Sequence, residues 1–319
     1  MLHSIICKPY PSCYLNHLDI RAILIAQGIE PHPGPGPAEA IPISLHDALF
    51  QQQLQSRKDA VSDPSLVTME VLQVSHLPTH LEQILARDAD IMLVGEHSMT
   101  AEVAEAHKTI LEQHKISALF SCLDPELKHN TGGVGGLSRH PHRMFDAQPI
   151  TEGFKSLVDG GRVVLLGIDI GLAIPILCFV FYGWTGGRQD KIAAKRTNGL
   201  LMAICREAEA QSQYMCCAVG DLNADPEDLH DFEEVLNCNS WIDVGARAEV
   251  VGGVHKAPTC LGTNANGTFT RNDYFFCQAP LFSLVHNFTV SFHDDFAVHA
   301  VLRIQWNASK QFFAQKINL

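Results

Sequence analysis

The sequence predicts an α/β (α+β) four-layer sandwich, with two mixed β-sheets packed face to face and helices on the outside. Three observations carry this. Short apolar runs of strand length alternate with stretches of helical pattern from Leu66 onward. The chain is 46% hydrophobic and 18% charged over 319 residues, enough apolar side chain for a large core. Closely spaced apolar runs near the end of the chain predict hairpins, while intervening helices predict parallel crossovers, so the sheets should be mixed.

The elements follow in order. Residues 66–75 and 90–94 read as strands, with a helix starting at His80 between them. Residues 100–114 are rich in Ala and Glu and read as a helix, with Thr100 as its N-cap. Strands are predicted at 116–122, 133–138, 162–168 and 174–181, then a long helix over 189–213. The run Met215-Cys216-Cys217-Ala218-Val219 reads as a buried strand, followed by a helical turn at 232–236. Strands near 268–269, 274–277, 288–292 and 298–304 complete the pattern. Residues 163–184 are long enough to cross a bilayer, but Gly167, Asp169, Gly171 and Pro175 interrupt them. Two strands joined at Gly171-Leu172-Ala173 fit better, so no stable membrane insertion is expected.

Residues 1–60 read as a separate proline-rich leader, 61–306 as one domain, and 307–319 as a C-terminal tail. Pro31-His32-Pro33-Gly34-Pro35-Gly36-Pro37 excludes regular structure. Gly28-Ile29-Glu30-Pro31-His32-Pro33-Gly34-Pro35 resembles ribosome-skipping peptides, with Gly28 and His32 at the positions of their Asp and Asn. The ten cysteines lack Cys-x-x-Cys pairs, which points to reduced, intracellular thiols. A monomer is expected, though nothing in the sequence fixes the oligomeric state. The formal net charge of -12 opposes a polyanionic ligand unless charge is segregated or a cation neutralises the site. Lys128, Arg139, Arg143 and Arg271 are the cations expected near the site.

Polar residues recur where strands end. Gly220-Asp221-Leu222-Asn223 places a carboxylate and an amide at one rim of a sheet. Asp supplies charge for a hard cation or a nucleophilic water, and Asn an uncharged donor for an anionic oxygen. Glu96 ends the run 90–95 and is a candidate metal ligand. Tyr182 ends another run, with a hydroxyl suited to a phosphate or leaving oxygen; aromatic packing is the rival reading. Arg271-Asn272-Asp273 and Val298-His299-Ala300 follow. An Asx-turn at Asp221 and a turn aspartate at Asp273 are the bland alternatives.

As a set these residues resemble the endonuclease/exonuclease/phosphatase superfamily, the DNase I-like fold. The endonuclease domains of non-long-terminal-repeat retrotransposons are the closer match, on Gly132-Gly133-Val134-Gly135-Gly136-Leu137-Ser138-Arg139, Tyr182-Gly183-Trp184-Thr185-Gly186-Gly187 and Pro258-Thr259-Cys260. The resemblance covers about residues 66–305. It implies a Mg2+-dependent phosphodiester hydrolase that nicks DNA, with Mn2+ as a substitute, in the nucleus. Glu96 would bind the metal, Asp221 would orient or activate water, and Asn223 would hold the scissile phosphate. His299 would be the general base, oriented by Asp273.

Three positions depart from the pattern. Gly95 replaces a Gln, Gln73 stands for an early-strand Asn and keeps its place in the metal set, and Val298 replaces the Asp before the terminal His. Asp294 and Asp295 are the nearest substitutes. These departures imply a weakened enzyme. The alternatives are a phosphatase-like protein for a small phosphoester or phospholipid, acting in the cytoplasm, and a noncatalytic remnant.

Overall fold

The structure, a computed structural model, describes residues 65–125, 132–261, 269–293, 295–296 and 298–309. The leader, the peptide at 28–35 and most of the tail lie outside the described residues. The strands are β1 Leu66–Gln73, β2 Ile91–Gly95, β3 Ile116–Phe120, β4 Val134–Arg139, β5 Arg143–Asp146, β6 Val163–Asp169 and β7 Ile176–Tyr182. They continue with β8 Met215–Asp221, β9 Trp241–Asp243, β10 Cys260–Leu261, β11 Phe269–Thr270, β12 Asp273–Gln278, β13 Val285–Ser291 and β14 Val301–Asn307. The helices are α1 Leu81–Ala86, α2 Ala101–Gln113, α3 Glu152–Asp159, α4 Lys191–Ala210, α5 His230–Asn237 and α6 Ala279–Phe282.

Two mixed six-stranded sheets result, in the orders β13-β14-β1-β2-β4-β3 and β5-β6-β7-β8-β12-β9. In each sheet one central pair is parallel, β1 with β2 and β7 with β8. The period of two along the strands decides which residues lie between the sheets. Val67, Met69 and Val71 of β1 share the inner core with Cys178 and Val180 of β7, Cys217 and Val219 of β8, and Phe275 and Cys277 of β12. The alternate residues Phe179, Phe181, Cys216, Ala218 and Phe276 face outward, against Phe154 of α3, Leu200, Leu201 and Ile204 of α4, and Phe232 of α5. Both faces of the second sheet are therefore buried, which is why its strands read as continuous apolar runs.

Thr100 caps α2, accepting from the Val103 amide at 3.5 Å, and Asp190 caps α4, accepting from the Ile192 amide at 2.8 Å. Residues 163–182 form the expected hairpin of two strands, and no helix among the described residues is long and apolar enough to cross a membrane. All eight described cysteines are free. Six expectations need correction. β5, β9, β10, α3 and α6 were not foreseen, because Arg143–Asp146 is short and exposed, β9, β10 and α6 are each only two to four residues long, and α3 has a single fully buried anchor, Phe154. His299 precedes the last strand and meets Cys260 in an isolated bridge.

Inside the first sheet Glu70 is fully buried and charged groups surround it. Arg87 donates to it at 2.7 and 2.9 Å and Arg303 at 3.0 Å. Such a group is tolerated only because its lone pairs are occupied.

Gly220 lets β8 deliver its terminal carboxylate. Its φ is 155°, and a Cβ there would lie 1.9 Å from the Phe181 carbonyl oxygen on β7. Gly220→Ala should therefore destabilise the fold by about 1–3 kcal/mol, read as a lower urea midpoint at unchanged m-value. An unchanged midpoint would show that β7 and β8 yield easily at this rung.

Candidate active site

The inner rows of both sheets end in polar residues at the same rim. Cys178 and Val180 lead to Tyr182, and Cys217 and Val219 lead to Asp221. Asp273 opens β12 before Phe275 and Cys277. Tyr182 pairs in register with Asp221, and Asp221 with Asp273, so three neighbouring strands present one polar rung. From the other sheet, Gln73 pairs in register with Gly95, immediately before Glu96.

His299 completes the rung. Its Nδ1 lies 2.8 Å from Asp273 Oδ2, which leaves Nε2 as the nitrogen available to a substrate. Donor atoms of Asp221, Asp273 and His299 all lie within 4.8 Å of one another. Asp273 Oδ1 is buried with no hydrogen-bond partner among the described residues. Asp221 Oδ1 accepts from the Asn223 amide at 2.8 Å, the Asx-turn of the bland alternative. Turn and site coincide, because the turn fixes the carboxylate's orientation. Asn223 takes φ 54°, a left-handed conformation that Asn tolerates, and its Nδ2 is 3.4 Å from the Gly183 carbonyl.

Tyr182 is 8% exposed, and its hydroxyl lies 3.4 Å from Thr185 Oγ1. Burial, then the nearby Glu96 and Asp221 carboxylates, push its pKa up, so the phenol stays a donor. Glu96 itself takes φ 53°, which is uncommon for a long side chain and is held by its neighbours. The Val74 amide donates to the Gly95 carbonyl at 3.1 Å, the Leu77 amide to the His97 carbonyl at 3.0 Å, and the Ser98 amide to the Gly132 carbonyl at 2.9 Å. His97 is fully buried beneath Gly133, where a Cβ would lie 2.4 Å from its ring. Burial lowers its pKa to about 4, so it is a neutral structural support.

Two departures from the sequence pattern prove to be one. Gly95 leaves room that Gln73 fills: a Cβ on Gly95 would fall 1.8 Å from Gln73 Oε1. Gln73 is 5% exposed, and neither polar atom of its amide has a partner among the described residues. Buried unpartnered amide atoms are costly, and their position beside Glu96 suits a ligand.

Thr259 was not foreseen as part of the site. Its hydroxyl accepts from the Asn272 amide at 3.0 Å and the Asp273 amide at 2.8 Å. Its carbonyl accepts from the Ala300 amide at 2.7 Å, and the Leu261 amide donates to the Val298 carbonyl at 2.8 Å. This strap fixes Asp273 and His299 to each other. The signal was present in Pro258-Thr259-Cys260, but nothing local linked it to either partner.

The expected cations lie elsewhere. Arg139 and Arg143 are at the opposite end of the strands, where Arg139 donates to the Leu85 carbonyl of α1 at 2.9 Å. Arg271 is held by Asp243 at 2.7 and 2.5 Å. Lys128 and Asp294 are outside the described residues. Arg188 was missed: it pairs with Asp225 at 2.9 Å and donates to the Arg271 carbonyl at 2.6 Å.

No protein-family profile and no curated protein matches the chain. Solved structures do. The 3'-5' exonuclease NExo from Neisseria meningitidis superposes with a TM-score of 0.60 at 14% identity, over 76% of this chain and all of that one. The AP endonuclease LMAP from Leishmania major gives 0.61 at 14% identity, over 78% and 90%. The endonuclease domain of TRAS1, a telomere-specific non-LTR retrotransposon, gives 0.52 at 13% identity, over 76% and all of that chain. The chain has the DNase I-like fold.

The charges of this DNase I-like rim constrain one another. Burial opposes charge on His299, yet Asp273, Asp221 and Glu96 hold its pKa up to about 9. Burial, then repulsion from Asp273, push Asp221 well above the usual carboxylate range. The His299 contribution to stability is full below its unfolded value of 6.5 and is lost as pH rises through about 9. Asp221 has the same sign: its raised pKa stabilises only the protonated form, so the ionised carboxylate destabilises at neutral pH. The metal-free protein should thus lose stability steadily from pH 6.5 to 9, and Asp221→Asn should raise its melting temperature at pH 7.5. Thermal unfolding in chelator across this range checks both, and a lower melting temperature for the Asn variant would contradict the assigned charges.

Proposed function

We propose that this protein is a divalent-metal-dependent phosphodiesterase that nicks DNA, of the retrotransposon-endonuclease type. The observation that carries this reading is the shared rung of Tyr182, Asp221 and Asp273, with His299 Nδ1 on Asp273 Oδ2. A phosphodiester needs a base for water, donors for the anionic oxygens and help for the leaving oxygen. The unpartnered Asp273 Oδ1 and Gln73 Oε1, together with the Glu96 and Asp221 carboxylates, form an oxygen-rich donor set that suits Mg2+ or Mn2+. Glu96 and Gln73 are assigned to hold the ion, which when bound polarises the phosphate and stabilises the leaving oxygen.

The protein's own residues do the remainder. Asp221, itself oriented by the Asn223 amide, orients the attacking water. Asn223 donates its side-chain amide to a phosphate oxygen. Tyr182 donates its hydroxyl to the phosphate or the leaving oxygen. In the metal-free site carboxylates hold His299 protonated against its burial, and burial together with Asp273 and Glu96 pushes Asp221 above the usual carboxylate range. The base role expected of His299 is therefore assigned to the metal-loaded site, where a bound cation would relieve both shifts and leave Nε2 to face the water. Asp273 fixes the ring, and Thr259 fixes Asp273.

Against the net charge, part of the cationic surface lies beside the site. Among the described lysines and arginines, the side chains of Lys115, Arg143, Lys191, Lys195 and Arg206 make no ion pair or hydrogen bond with a described residue. Lys191 and Lys195 line a groove of about 460 Å3 with Arg188, and with Asp228 and Asp231, at the start of α4. That groove adjoins Asn223, since a Cβ on the neighbouring Gly187 would lie 2.9 Å from the Asn223 carbonyl oxygen. The TRAS1 domain is an endonuclease of a retrotransposon, and one NExo structure holds a product DNA hairpin, both on this fold.

Supercoiled plasmid with Mg2+ is the test. The parent should nick slowly, His299→Ala and Asp221→Asn should each lose at least about a hundredfold, and Val298→Asp should gain activity by giving His299 a second acceptor. Glu96→Gln should weaken Mg2+ binding in calorimetry. Phosphate release from small monoesters without plasmid nicking would instead favour the phosphatase-like alternative, and four inert proteins would favour a remnant.

A further inference from the structure

We propose that the rim opposite the carboxylates carries a second nucleic-acid contact, a cationic groove with an aromatic platform that holds a single strand. It stands independently of the catalytic reading. The strand registers place it. Gly95 pairs with Val134 at the catalytic rim, whereas Ile91 pairs with Ser138 at the other end, one residue before Arg139. On the second sheet Arg143 pairs with Asp169, beyond the Ile168–Ile176 end of the β6–β7 hairpin. At about 3.3 Å per residue the two rims are roughly 17 Å apart along β4. A groove of about 660 Å3 lies there, and Lys115, His140, His142, Arg143, Phe145 and Glu112 line it.

Three features point to a ligand. First, the side chains of Lys115 and Arg143 are exposed and make no ion pair or hydrogen bond with a described residue, whereas most described lysines and arginines do. The groove thus gathers two of the free cations and two imidazoles with Glu112 as its lining carboxylate, and Asp90 lies 3.7 Å from His142 Nε2. Second, Phe145 is 43% exposed, yet it is not loose. Its ring lies over Gly167 of β6, where a Cβ would fall 2.1 Å from the Phe145 ring. One side of the ring is seated against that strand and the ring stays substantially open to solvent, as a stacking platform requires. Third, Lys115 takes φ 58° just after α2, a position where Gly is strongly favoured. A lysine in this conformation places a charge at the groove at some expense to the fold.

The aromatic platform decides between polyanions. An acidic peptide would use Lys115 and Arg143 but would have no need of an exposed ring beside them. A single strand uses both, with phosphates on the cations and a base on the ring. Phe145 sits on the edge strand β5 and Lys115 directly precedes the edge strand β3, so the groove runs between the open edges of the two sheets.

The test uses the full chain in chelator, with a fluorescent oligothymidylate of about 12 nucleotides followed by anisotropy. Phe145→Ala should weaken binding about tenfold, the usual effect of losing one stacked base. Lys115→Gly should raise the melting temperature while weakening binding and lowering the salt slope by about 0.7. Neither change should alter hydrolysis of a small phosphodiester, which separates this groove from the catalytic rim. Binding by both variants equal to the parent would overturn the proposal. So would loss of binding in Lys115→Gly alone together with displacement by polyglutamate, which would make the groove a site for acidic peptides.

Discussion

The buried meeting of Asp221, Asp273 and His299 is the constraint on which the rest depends. Two carboxylates, 4% and 1% exposed, stand at the mouth of an apolar interior, with Glu96 acting on the same imidazole. Like charges at this separation in a poorly solvated site repel by several kcal/mol, and one imidazolium offsets only part of that. The surrounding elements serve to hold the group together against that repulsion. Three strand ends fix the backbone, Gly220 lets β8 approach β7, and Thr259 pins Asp273 and the His299 segment with backbone-directed bonds. A cation is the natural complement of such a site, since it satisfies the oxygen atoms that no side chain reaches.

The fold was legible because its strands carry a clean period of two or a continuous apolar run. β8 is a continuous apolar run of strand length, Gly171 and Pro175 set β7 off as a second one, and Thr100 announced α2. The site residues were legible for a related reason: each interrupts an apolar row at its last rung. Sequence alone could not say that the rows faced one another. That requires the register of Tyr182 with Asp221 and of Asp221 with Asp273, which depends on pairings between segments some 40 and 50 residues apart along the chain. β5 and α3 escaped because a short exposed strand and a helix with one fully buried anchor have almost no pattern. The cations were misplaced for a different reason. Arg139, Arg143 and Arg271 are near polar motifs in sequence, but a strand of six residues carries Arg139 to the far rim, and Asp243 neutralises Arg271.

The reciprocal fit of Gln73 and Gly95 shows how a first-row departure is absorbed. Read separately, an amide one carbon longer at position 73 and the loss of a side chain at position 95 each look like damage. In space the longer amide occupies the volume that the absent side chain vacates. An amide therefore remains at this point of the rim, presented from β1, next to Glu96. Val298 has no such partner: the carboxylates that act on His299 are Asp273, Asp221 and Glu96, and only Asp273 hydrogen-bonds it. The ring is thus fixed through Nδ1 by Asp273 alone, with the Thr259 strap supplying the alignment that a second acceptor would otherwise give. A site held in this way keeps its geometry as long as the strap stays paired, so the loss at Val298 bears on how firmly His299 is positioned and leaves its place in the rung unchanged.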